Sequence, residues 1–153
     1  MQNLTLSQKA SLVAAIAICI IAPTIGYIKL GWAPVIIVGG AAIIGFFFWY
    51  FTYLRRPNDP KIILPIFILT VAALQIHMVE EYFTGFGPAM SRIFNIPWTE
   101  QSFLMVFMMI GPIIYTLTTL GLYYRFPLAG FVAWFIFIGP GVAEFTHFIF
   151  PLI

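Results

Sequence analysis

Five residues carry the chemistry this sequence offers: His77, Glu80 and Glu81 in one apolar stretch, and Glu144 and His147 in another. On an α-helix, positions three and four apart share a face. His77 therefore pairs with both Glu80 and Glu81, and Glu144 pairs with His147. Ionisable groups in a hydrocarbon setting are costly, about 2.5–3.5 kcal/mol even on the lenient insertion scale for aspartate, lysine or arginine. A sequence that keeps several of them offsets that cost by pairing them or by using them.

A metal site is the first chemistry these residues fit. His77 and Glu81 have the i, i+4 spacing of two helix-borne zinc ligands, as in an inverted zincin pattern with glutamate in place of the second histidine. His147 is then the third ligand, and Glu144 either completes the set or holds His147 in the right tautomer. Glu80 is the general base, and a water in the open fourth position has its pKa lowered toward about 7. The expected cofactor is a divalent metal, zinc first and iron second. The reaction is hydrolysis of a small lipophilic substrate. Glu144-x-x-His147 also matches the Glu-x-x-His unit of di-iron carboxylate bundles, which keeps an oxidoreductase in view. Three further readings need neither metal. Buried glutamates suit acid–base isomerisation of a polyene or sterol-like lipid. His77 and His147 suit the two axial positions of a haem. A purely structural network would use the same groups to fix helix packing.

The pentapeptide His77-Met78-Val79-Glu80-Glu81, placed inside an apolar stretch and followed late in the chain by His147, resembles the signature of the HXXEE-domain family of small bacterial membrane proteins. The resemblance implies a metal-dependent membrane enzyme built of several hydrophobic helices, and it carries over no substrate. Glu144 departs from the amide that the family often shows before the late histidine.

The elements that must position these groups follow from composition. Hydrophobic residues are 62% of the chain and charged residues 8%, against roughly 45–50% and about 25% in a soluble domain. A soluble fold has no place for so much apolar surface. Five stretches reach the length of a spanning helix, about 20 residues: 8–30, 33–54, 61–84, 101–124 and 128–152. The expected fold is a single all-α domain over 1–153, a polytopic transmembrane helix bundle. The apolar run after Lys9 is longer than a signal-peptide core and ends in no cleavage site, so it reads as a retained first span.

Turn chemistry supports these divisions. Arg55 to Lys61 is polar and carries Pro57 and Pro60, Gly31 to Pro34 makes a tight turn, and Arg125-Phe126-Pro127 is a short link. The one long connection, 85–100, has the length of a functional loop. With the N-terminus in the cytoplasm, Lys9, Arg55, Arg56, Lys61 and Arg125 lie inside and only Lys29 and Arg92 outside, as the positive-inside rule prefers. The expected location is a bacterial plasma membrane, with loop 85–100 on its outer side.

In this arrangement the third and fifth spans run the same way. His77 and Glu144 each stand 16 residues into their span, about 24 Å up. Both clusters therefore lie level, beneath the outer loop.

Other residues read more simply. A net charge of +2 with no basic stripe points away from nucleic acid. Partners are lipid or a small lipophilic substrate, with homo-oligomerisation open. Cys19 is a packing residue, and Gln75 an interhelical hydrogen-bonder. Thr70, Thr116, Thr118 and Thr119 bond their own helices. Glu100 follows Thr99, an N-cap, where a carboxylate suits the helix dipole. Arg92 is a solvated charge, and Met105, Met108 and Met109 pack in the core. Tyr27, Trp32, Trp49, Tyr50, Tyr53, Trp98, Tyr123 and Tyr124 form the aromatic belts. Pro23, Pro65, Pro112 and Pro140 kink their helices, while Gly39, Gly40 and Gly45 let the second helix pack closely.

Overall fold

The chain folds into helices joined by short turns. The computed structural model describes residues 4–149, with side chains over residues 4–139 apart from residue 94. Among the described residues there is no strand. Helix α1 is Leu6–Leu30, α2 Trp32–Thr52, α3 Pro60–Phe83, α4 Phe86–Phe94, α5 Glu100–Tyr123 and α6 Pro127–Ile149. Helices α1, α2, α3 and α5 are 25, 21, 24 and 24 residues long, and all four are apolar and long enough to cross a membrane. Helix α6 has 23 residues, and its described apolar part is Pro127–Gly139.

Local chemistry sets the ends. At α1 the Thr5 hydroxyl accepts from Gln8 N–H and the Gln8 side chain accepts from Thr5 N–H, a reciprocal capping box. The Gln8 carboxamide also donates to the Leu54 carbonyl at 2.9 Å, tying the start of α1 to the end of α2. Gly31, at φ +72°, closes α1 by donating to the Tyr27 carbonyl, a left-handed φ that glycine adopts without steric cost. Asp59 caps α3 ahead of Pro60, where a missing N–H costs nothing. Thr99 caps α5 by accepting from Ser102 N–H, as the sequence leads one to expect.

Helix α6 runs through the middle and packs on α1, α2, α3 and α5. Gly45 of α2 meets the backbone of α6 directly: a Cβ there would lie 3.0 Å from Phe135 N. Trp134 stacks on Phe48 at 5.0 Å, and Phe131 meets Trp49 edge-on at 5.6 Å. Trp49, Tyr53, Leu54, Phe67, Leu122 and Phe131 are fully buried there. This corrects two of the aromatic-belt assignments. Trp49 and Tyr53 belong to the core, and the Trp49 indole donates to the Pro127 carbonyl at 2.7 Å. Outside this core, large apolar side chains such as Leu69, Ile76 and Leu117 face outward, Leu69 at 70% exposure. That surface suits lipid. The methionines also depart from expectation: Met105 and Met109 are exposed rather than packed in the core.

Two stretches widen from α to π geometry, Val35–Gly39 in α2 and Met105–Ile110 in α5. The connection 85–100 is not an open loop, because it contains the nine residues of α4. Gly85 and Asn95, both left-handed at φ +69° and +48°, begin and end that helix. The Ser91 hydroxyl then holds the returning chain through Ile96 and Trp98.

Candidate functional site

The pairing expected along α3 is present. His77 Nδ1 stands 3.4 Å from a Glu80 carboxylate oxygen, and Nε2 stands 3.3 Å from Glu81 Oε1. The helix alone produces this, since three and four residues bring side chains back to one face. The two carboxylates differ in setting. The Glu81 side chain is 7% exposed and Glu80 is 69% exposed. Glu81 is turned into the bundle beside buried Met78, while Glu80 opens outward.

The donor set can be tested against a metal. Two ligands of a tetrahedral zinc, each about 2.0–2.1 Å from it, stand about 3.3 Å apart. The separation of His77 Nε2 and Glu81 Oε1 is compatible with that edge. A carboxylate at the other ring nitrogen, here Glu80 at Nδ1, is the ordinary orienting partner of a ligating histidine. Among the described residues no group of three or more His, Cys, Asp or Glu gathers in metal-binding geometry. Two donors fit, and the rest of a shell has to come from elsewhere.

The side chains of Glu144 and His147, expected to complete the set, lie outside the described residues. Their helix does not. Near α4, Tyr82 of α3 touches Phe103 of α5 at 6.3 Å. Further along, Gln75 lies near Tyr115. Rising numbers on α5 thus face falling numbers on α3, and the two are antiparallel. A tight turn, in which Phe126 N–H donates to the Gly121 carbonyl, sends α6 back along α5. Helices α3 and α6 are therefore parallel, and the rings of Phe67 and Phe137 meet at 6.1 Å. His77 and His147 each come ten residues further along, about 15 Å of helix. Counted from that contact along the two helices, the two positions come at equal distances.

Beyond Glu81 the chain forms a feature that the sequence reading missed. A cavity of about 110 Å³ is lined by Tyr82, Gly85, Gly87, Pro88, Glu100 and Phe103. Tyr82 and Glu100 both line it and lie near each other. Trp98 borders Gly87: a Cβ added there would stand 3.6 Å from the indole Cδ1. Glu100 thus lines a cavity as well as standing in the first turn of α5. The only sequence signal for the cavity is the clustering of glycines, aromatics and a lone carboxylate between two spans. Gln75 of α3 lies beside Tyr115 of α5, but its buried carboxamide nitrogen makes no hydrogen bond among the described residues, and Cys19 packs with its thiol 3.6 Å from the Ala42 carbonyl. Thr70, Thr116 and Thr119 bond the carbonyls four residues back in their own helices. Thr118 is buried.

The chain matches no protein-family model, no curated protein and no solved structure.

Proposed function

We propose that this is a five-span plasma-membrane protein, N-terminus in the cytoplasm, whose His77–Glu80–Glu81 cluster binds a divalent metal and acts on a small lipophilic substrate. On this reading Glu144 and His147 of α6 complete the cluster, and the protein resembles the HXXEE-domain family in function as in signature. One observation carries the proposal: a single imidazole stands between a buried carboxylate at the distance of a tetrahedral edge and an exposed carboxylate on its other nitrogen. His77 Nε2 and Glu81 hold the metal, with zinc favoured because imidazole and carboxylate are its usual donors. The metal supplies Lewis acidity toward a polar bond of the substrate. Glu80 orients the imidazole through Nδ1; to act as general base its exposed side chain swings from Nδ1 to the Nε2 side, where it takes a proton from the attacking water and returns it to the leaving group. The reaction class is hydrolysis.

Metal analysis of the purified full-length protein tests this. Near-stoichiometric zinc is expected in the wild type. His77→Ala and Glu81→Gln should each lose at least nine-tenths of it, and Glu80→Gln should retain it. Iron in place of zinc moves the reaction to the oxidative class. A metal-free wild type prepared without chelator ends the metal reading.

A second reading has its own support. Both ring nitrogens of His77 face carboxylates, which also suits a proton relay used in isomerising a lipophilic substrate without metal. Turnover that survives chelation would select it.

A further inference from the structure

The cavity beyond Glu81 has a chemistry of its own. Among the described residues of its lining, Glu100 is the only acidic or basic side chain. Around it, Tyr82, Phe103 and Pro88 form walls, and Gly85 and Gly87 contribute no side chain. Gly85 has φ +69°, so an L side chain is disfavoured there. Phe103 continues into Phe107 at 4.9 Å, and Phe107 meets Trp98 at 6.5 Å, so the aromatic surface is continuous. A cation is drawn both to a carboxylate and to ring faces within about 6 Å. An anion would meet Glu100, and a neutral apolar group would leave that charge unused. Size narrows the choice further. About 110 Å³ lies well below the roughly 300–1,000 Å³ of pockets that enclose whole drug-sized ligands. A headgroup fits there and a lipid body does not.

We infer that this cavity binds an organic ammonium group, with Glu100 as counter-charge and the Tyr82 and Phe103 rings as its walls. Tyr82 directly follows Glu81 in α3 and so stands about 100° round the helix from it; the ammonium site does not rest on the function proposed above. The ammonium group comes either from a membrane lipid or from a free solute, and the chemistry is the same.

Equilibrium dialysis of choline with the full-length protein in phosphatidylglycerol nanodiscs reads the site directly. Choline should bind at least tenfold more tightly than its uncharged carbon isostere. Glu100→Gln, an isosteric change at an exposed residue, should weaken choline at least tenfold and leave the isostere unchanged. Tyr82→Leu should weaken choline severalfold, while Tyr82→Phe, which keeps the ring, should bind within twofold of wild type. Gly87→Val should block the site by filling it. His77→Ala should bind choline like the wild type, so loss of the metal site and loss of the ammonium site are told apart. Phosphatidylcholine nanodiscs identify the source: weakened choline binding there marks a lipid headgroup, and unchanged binding marks a free solute. Equal affinity for choline and its isostere, or indifference to Glu100→Gln, overturns the inference.

Discussion

The Pro127 carbonyl opens α6 and receives the Trp49 indole N–H at 2.7 Å in a fully buried setting. This one bond ties α2 to the first turn of the central helix. Trp49→Phe keeps most of the ring packing against Phe131 and removes the donor. A lost buried hydrogen bond with the acceptor left behind costs about 1–3 kcal/mol. Reversible unfolding in mixed micelles should show a loss of that size. Phe51→Leu, two residues on and 76% exposed, should stay within about 0.5 kcal/mol. Equal losses from the two changes would mean that the indole bond contributes nothing. The same scale explains which single residues were readable. His77, Glu80 and Glu81 lie within one helical turn, so the spacing alone determines that they meet. Trp49 lies 78 positions from its partner, and its place near a span end made it look like a belt residue. Spacing along a chain cannot tell a tryptophan facing headgroups from one facing another helix.

Among elements, α5 decides the shape of the cavity. Its π segment Met105–Ile110 is followed by Gly111, which donates to the Val106 carbonyl five residues back, and then by Pro112. A proline ring presses on the carbonyl four residues before it, here that of Met108, and the widened turn relieves that pressure. A π segment behaves as one residue inserted into an α-helix. Deleting Met108 should therefore restore α geometry and turn the start of α5 by about 100° relative to Gly111–Tyr123. Phe103 would then leave Tyr82, now 6.3 Å away. Helical content by circular dichroism should stay at the wild-type level while choline affinity falls at least tenfold. Wild-type affinity in this deletion would show that the rotation set by the π turn does not build the cavity. Six apolar residues in a row give no sign of such a turn, because Met105–Ile110 reads as ordinary span. The proline was visible and its kink expected, but residue spacing does not show that a π turn accommodates its ring. Helix α4 was hidden for a related reason. Its glycines and prolines read as loop, whereas Gly85 and Asn95 serve as the left-handed ends of a nine-residue helix.

At the scale of the molecule, composition carried most of the reading, since apolar stretches of spanning length need no tertiary information to be seen. Orientation depends on charge outside those stretches. Lys9, Arg55, Arg56, Lys61 and Arg125 fall at one end of the antiparallel helices, and Lys29 and Arg92 at the other. In the five-span arrangement proposed above, the positive-inside rule puts the richer end in the cytoplasm. The core around Trp49 and Phe131 then lies toward the inner face, and His77 and the ammonium cavity toward the outer. Cysteine labelling decides it. Cys19, the single cysteine, is first replaced by alanine. Asn58→Cys then reports the turn between α2 and α3, and Ile93→Cys reports α4. In intact cells a membrane-impermeant maleimide should label Ile93→Cys and spare Asn58→Cys, and lysis should expose the latter. The reverse pattern would turn the bundle over and bring the cavity's ligand from the cytoplasmic leaflet. Labelling of both sites in intact cells would mean that α3 does not cross the membrane. His77 and Glu81 would then lose the lipid surroundings that make their pairing informative.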